Sequence, residues 1–340
     1  MPQVAERAAG PVALIAPAGA GAEQLRLFDS GVDVAALRIE RAAITERRLS
    51  VNTRRAYRAD WADFLRWCDS AGRAPLPAST DTVCLYLVGQ ARAEKLVATI
   101  ERRCSSIAFE HLRVGARSPI NEDVREVLYG LRRKLGVAPV NAKVALSVDD
   151  LRAVLRATPE DVWGVRDRAV LLLGFASGLR RSELSALDLA SVRFEPAGLV
   201  VTVARSKTDQ EGLGREVGVH RGRHRLTDPV GAVTAWIRER GNWPGPLFPI
   251  IDVNTGAISR RRVSGHGLAE VVQSAVKRAG LDPARYGGHS LRAGCATAAA
   301  ANGASDLAIM RRTGHSSVAM VGRYVRHASV FAVDPLAGVL

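Results

Sequence analysis

A run of amphipathic helical pattern stops at Gly136 and restarts only at Ser147. Gly136, Pro139 and Asn141 interrupt that stretch, and no helix passes comfortably through glycine and proline so closely spaced. The apolar faces on either side must therefore be buried in two separate lobes, with residues 137–147 as a linker. A length of 340 residues suits two domains.

Residues 50–136 carry four helical patterns. The first starts from a Ser50/Asn52/Thr53 cap and places Tyr57, Trp61, Phe64, Leu65 and Cys68 on one face, with Arg54, Arg55, Arg58 and Arg66 on the other. The second runs over about 81–92. The third carries Ile100, Cys104, Ile107, Ala108 and His111. The fourth follows Pro119 and an Asn121 cap, aligns Val124, Val127, Leu128, Leu131 and Leu135, and ends in Arg132, Arg133 and Lys134, which suits a helix C-terminus as well as a polyanion. In residues 148–327, helices are expected near 149–157, 165–177, 181–187, 229–240, 264–279, 290–301, 305–312 and 317–324. Alternation over 199–204 and 215–219, around a polar glycine-containing turn, reads as one β element. The fold class is thus mainly α: an N-terminal four-helix domain, then a mostly helical domain with a small antiparallel β-sheet. Residues 1–49, rich in Ala, Pro and Gly with no net charge, read as a flexible arm, and 328–340 as an apolar tail.

Charge narrows the partner. The chain carries a formal +14, of which +5 falls in residues 50–136 and +9 in 148–327. Arginine supplies 43 of its 48 basic residues. A GC-rich coding bias also favours arginine over lysine, but it does not create a net surplus. Such a surplus pairs with nucleic acid or an anionic membrane surface. The longest apolar run, 169–176, is far too short to span a bilayer, and Pro11 and Pro17 break up any signal-peptide core. Cys68, Cys84, Cys104 and Cys295 show no zinc spacing, and the first three fall on apolar faces, so reduced core cysteines in a cytosolic setting are expected. No metal or other cofactor is implied.

Five short stretches carry chemistry-bearing residues in order: 177–184 with Arg180 and Glu183, 205–209 with Arg205 and Lys207, 288–292 with His289 and Arg292, 313–317 with His315, and 322–325 with Tyr324. Taken singly each is weak; His220 and Arg223 repeat the H-x-x-R spacing at what reads as charged surface. Context strengthens them. Arg180 follows a Gly178 helix stop, Lys207 sits in the β turn, His289 and Arg292 open a helix on one face, and His315 follows a Gly314 helix stop.

The ordered set Arg180, Lys207, His289, Arg292, His315 and Tyr324 resembles the active-site signature of the tyrosine recombinases, the phage-integrase family. The resemblance spans residues 50 to about 330 and is similar in extent to the simple two-domain members such as the Cre and Xer recombinases. Ser177 stands where threonine is frequent, and His315 occupies a position that some relatives fill with tryptophan.

The resemblance implies a site-specific recombinase with a core-binding domain over 50–136 and a catalytic domain over 148–327. Arg180 and Arg292 would clamp the non-bridging phosphate oxygens, with Tyr324 as nucleophile, His289 as base and Lys207 as acid to the leaving oxygen. His315 would bind the phosphate or buttress Tyr324, and Glu183 would orient the site. Tyr286 is the rival nucleophile. Arg54, Arg55, Arg58, Arg132, Arg133, Lys134 and Arg205 are candidate DNA contacts. Implied partners are duplex DNA with inverted half-sites and further copies of the chain, a dimer on one site and a tetramer in synapsis, in the cytoplasm with the nucleoid. The tail at 328–340 either folds onto its own domain or docks on a neighbour. Two other outcomes stay open: a DNA topoisomerase of the nicking-closing kind (type IB), and a DNA-binding protein whose catalysis has lapsed.

Overall fold

The computed structural model describes residues 49–137, 143–204 and 214–328, with single positions between 33 and 40. Most of the expected arm at 1–49, part of the linker, Arg205, Lys207 and the tail beyond residue 328 lie outside the described residues. The chain divides into two compact units, Met1–Ala138 and Pro139–Leu340.

The N-terminal unit consists of α1 (Val51–Ser70), α2 (Thr80–Arg92), α3 (Val97–Arg113) and α4 (Glu122–Leu135). The side chains of Ser50, Ser79 and Asn121 accept the backbone N–H of Thr53, Thr82 and Val124, so three of the four helices start on a capped turn. Phe64, Cys68, Val83, Leu87, Ile100, Ile107 and Val124 form the core. His111 is buried, bonded to the Ile107 carbonyl through Nδ1 and to the Ala78 N–H through Nε2, and so is structural.

The C-terminal unit runs α5 (Val148–Arg156), α6 (Val162–Ser177), α7 (Arg181–Ala186), β1 (Val192–Glu195), β2 (Gly198–Val203), β3 (Arg215–His220), α8 (Pro229–Arg240), β4 (Pro249–Ile251), β5 (Ile258–Arg262), α9 (Gly265–Arg278), α10 (Gly288–Ala301), α11 (Asp306–Thr313) and α12 (Val318–Ala328). Most of α6 after Asp167 is buried, as a helix packed against both α8 and α10 requires. Antiparallel β1-β2-β3 pairs Val201 with Val217 and Val203 with Arg215, turning Val201, Val203, Val217 and Val219 toward the core. Beside the main core, Ala296, Ile309 and Val321 make a small second one between α10, α11 and α12.

The mainly α class with a small antiparallel sheet holds. Beyond the expected β element lie a third strand, β1, and a separate β4–β5 ribbon. Both are short and largely polar on their outward faces: Arg193 and Glu195 in β1, Arg260, Arg261 and Arg262 in β5. Their ladders are held by neighbouring backbone rather than by an apolar alternation visible in sequence.

Candidate active site

The site in the C-terminal unit begins at two helix ends. Gly178 closes α6 in the left-handed conformation (φ 63°), and Gly314 closes α11 likewise (φ 68°). Both reversals favour glycine, because a Cβ is strained there. The first puts Arg180 immediately before α7; the second puts His315 immediately after α11.

Three guanidinium groups converge on the carbonyls at the end of α11. Arg180 Nη2 donates to Gly314 O at 3.0 Å, Arg215 Nη1 to Arg312 O at 2.8 Å, and Arg292 Nη1 to Thr313 O and, at 2.9 Å, to Gly178 O. One carboxylate serves the group. Glu183, buried, accepts Arg180 N–H at 3.0 Å, Arg180 Nη1 at 2.6 Å and Arg215 Nη2 at 3.1 Å. Arg292 is 1% exposed, and its Nη2 has no hydrogen-bond partner among the described residues. Burial first, then the charge of Arg180, pull the Arg292 pKa down to about 10. It stays protonated at neutral pH, and an arriving anion would relieve both the burial cost and the repulsion.

The nucleophile and base candidates meet beside this cluster. His289, in the first turn of α10, places Nε2 2.9 Å from the Tyr324 hydroxyl. The Tyr324 ring rests against the small core and lies 5.5 Å from the His315 ring. His315 Nδ1 is 2.7 Å from Thr313 Oγ1, whose own hydroxyl donates to Ile309 O at 2.6 Å. That chain of bonds assigns the His315 proton to Nδ1. Desolvation, then Arg292, Arg180 and His289, push the His315 pKa down to about 4. His289 is exposed, yet desolvation, then Arg292, Arg180 and Arg181, hold its pKa below the ordinary imidazole value. Both rings are therefore neutral at pH 7.

Arg180, Glu183, His289, Arg292, His315 and Tyr324 thus form one contiguous group, assembled from segments 144 positions apart at their extremes. Tyr286 is removed as the rival nucleophile: its ring is in the main core and its hydroxyl is 3.3 Å from Asp150 Oδ2. Arg54, Arg55 and Arg58 occupy the first turns of α1, while Arg132, Arg133 and Lys134 are exposed in the last turn of α4, Arg132 paired with Glu101 at 2.6 Å. These six belong to the N-terminal unit. Sequence reasoning missed Arg215 and Thr313. Thr313 stands in the same stretch as His315 and had a visible signal; Arg215 looked only like the polar first residue of a strand.

Comparison with known proteins points to one family. The family model described as "Phage integrase family" matches residues 145–329. The chain is 33% identical over 301 residues to an integrase/recombinase xerD homolog from Selenomonas ruminantium, covering 86% of each. It is 30% identical over 291 residues to the tyrosine recombinase XerD of Xanthomonas axonopodis pv. citri (strain 306), covering 82% of this chain and 88% of that one. In fold it resembles a lambda integrase dimer bound to a COC′ core site, with a TM-score of 0.56 at 17% identity over 89% of this chain and 79% of that one. It also resembles the Tn1549 transposon integrase in complex with transposon right end DNA, with a TM-score of 0.55 at 16% identity over 94% and 96%. With the family model covering more than half of its length, and a relative one-third identical along most of the chain, this protein belongs to the phage integrase family, the tyrosine recombinases.

Proposed function

We infer that the chain is a site-specific DNA recombinase that cuts and rejoins duplex DNA through a covalent 3′-phosphotyrosine. The observation that carries this reading is the 2.9 Å contact between His289 Nε2 and the Tyr324 hydroxyl, set beside three guanidiniums, two of which share the Glu183 carboxylate. A phenol with a pKa of about 10 is only about 0.1% ionised at pH 7, so a neutral imidazole in contact supplies the missing base.

In the proposed step Tyr324 Oη attacks the scissile phosphorus and its proton passes to His289 Nε2. The new O–P bond replaces the bond to the 5′-oxygen, which leaves with a proton from Lys207. Arg180 and Arg292 meet the charge that builds on the non-bridging oxygens. His315, with Nδ1 held by Thr313, presents Nε2 as an acceptor while neutral and buttresses Tyr324. Glu183 orients Arg180. Rejoining reverses the sequence with a 5′-hydroxyl from another strand, and the conserved ester energy makes a nucleotide cofactor unnecessary.

The partners follow from this reading: duplex DNA with inverted half-sites, a dimer on one site and a tetramer in synapsis. The N-terminal unit would serve as the core-binding domain, with Arg54, Arg55, Arg58, Arg132, Arg133 and Lys134 as phosphate contacts, and Arg205 would add one in the catalytic unit. The setting is the cytoplasm, on the nucleoid, and the tail at 328–340 would link neighbouring protomers.

Incubation with a pool of nicked random-sequence duplexes, whose short fragment bearing the freed 5′-hydroxyl diffuses away after cleavage, tests the chemistry. Wild type should become covalently attached to a defined half-site, and Tyr324→Phe should leave no adduct. An adduct formed equally by Tyr324→Phe would refute the nucleophile. Paired sites should then yield intermolecular joined products, which relaxation by a monomer would not.

A further inference from the structure

We propose that Arg215 is a positioning residue of the cleavage site, holding Glu183 and the last turn of α11 so that Arg180 is presented to the scissile phosphate; this rests on the recombinase reading above. Arg215 is the first residue of β3, paired across the sheet with Val203. Its side chain leaves the sheet and joins two things that sequence keeps far apart. Nη1 donates to Arg312 O at 2.8 Å, while Nη2 reaches Glu183 Oε2 at 3.1 Å and Thr313 O at 3.4 Å. A Cβ at Gly314 would lie 3.0 Å from Arg215 Nε, so the guanidinium is pressed against the backbone residue that precedes His315.

The consequence is electrostatic. Glu183 would otherwise answer to Arg180 alone, as a tight pair at 2.6 Å that cancels the very charge a phosphate needs. Arg215 takes one carboxylate oxygen and leaves the other for Arg180. The carboxylate is thereby stretched between two cations, and Arg180 keeps its other terminal nitrogen, Nη2, on Gly314 O at 3.0 Å. Burial lowers the Arg215 pKa and Glu183 raises it, as for a cation held inside by one shared anion. A lysine cannot replace it, since three acceptors in two directions need a planar fork.

The test uses two nicked duplexes of the half-site selected by wild type, one with an ordinary scissile phosphate and one with a methylphosphonate there. The methylphosphonate lacks one charged oxygen and needs the guanidinium clamp less. Arg215→Met and Arg215→Lys should slow adduct formation roughly 10- to 100-fold on the phosphate, the scale typical of outer-shell residues, but only a few-fold on the methylphosphonate. The ratio of the two rates cancels any misfolded fraction, and the lysine variant keeps a charged, soluble protein should the methionine variant fail to fold. Equal slowing on both substrates, or no slowing on the phosphate, overturns the proposal while leaving the recombinase reading intact. Failure of wild type to form an adduct on either substrate overturns both.

Discussion

In the N-terminal unit Arg102 and Arg103 meet Asp60 and Asp63; in the C-terminal unit Arg180 and Arg215 meet Glu183, while Arg292 beside them bonds backbone carbonyls. The first network closes on itself. Arg102 grips Asp60 with two bonds, at 2.7 and 3.0 Å, and Asp63 is filled by Arg103 Nη1 and, at 2.7 Å, by the Tyr86 hydroxyl. Gln90 takes Arg103 Nη1 as well, and even the Arg103 Nε without a hydrogen bond lies 3.7 Å from Asp60 Oδ1. Two tightly bonded cations face two anions, with exposed Arg66 adding a longer contact to Asp63 at 3.5 Å, so the inward-facing charge is cancelled inside the fold. The second network stops short of balance. Two of the three cations share one anion, and all three lean on neutral carbonyls at 178 and 312–314, which orient the guanidiniums without cancelling them. The difference separates arginine used to hold helices together from arginine kept in reserve for a ligand.

The sharpest way to break that contrast is to shorten one fork in each network. Arg292→Lys keeps a charge but loses the planar donors. Adduct formation should fall about 100- to 1,000-fold, equivalent to about 3–4 kcal/mol of transition-state stabilisation, as for an oxyanion donor. The thermal midpoint should barely move, because the lost partners are neutral carbonyls. Adduct formation within tenfold of wild type would mean that the cluster is a structural network like the first. Arg103→Met should behave oppositely. It strands Asp63 and Asp60 with one cation fewer, and should cost about 2–3 kcal/mol in chemical denaturation, toward the low end for a buried pair because Asp63 retains 30% side-chain exposure. The adduct rate per folded molecule, at saturating DNA, should stay at the wild-type value.

The contrast also explains what was readable in advance. Helix starts were legible because Ser50, Asn121 and Ser147 announce themselves by residue type, and α6 and α10 end or open beside glycine. The six site residues from Arg180 to Tyr324 were legible as an ordered set, although Lys207 and Arg205 fall outside the described residues. The acceptor strip at 312–314 was not, since a backbone carbonyl has no letter in a sequence. Arg215 escaped for the same reason: what makes it more than a strand-edge arginine is three oxygens contributed by residues 32 to 98 positions away. Tyr286 and Tyr324 were rivals on paper; the contact of Tyr324 with His289 and the burial of Tyr286 against Asp150 distinguish them.

A third measurement probes the unbalanced charge through its effect on the imidazoles. The proposed mechanism needs His289 neutral, and its pKa lies below the ordinary value, with Arg292, Arg180 and Arg181 adding to desolvation. Adduct formation should be flat from pH 8 down to about 6.5 and fall below that as the base takes up a proton. A profile already falling between pH 8 and 7 would show that the guanidiniums do not govern the base.

The smallest effect concerns stability, and its sign is set by His315. Its pKa is about 4 in the fold, against about 6.5 for a free imidazole. Between these values the unfolded chain binds a proton that the folded one refuses, so stability is complete above pH 6.5 and drains away as pH falls toward 4. With solvent screening of a half-buried ring, that loss should amount to about 1–2 kcal/mol. His315→Asn keeps a side-chain N–H near Thr313 Oγ1 but does not titrate, and should lose less stability than wild type over the same interval. Equal slopes for wild type and His315→Asn would mean that the cationic surplus around the site does not reach its own histidine, and that the balance between the two networks is closer than their geometry implies.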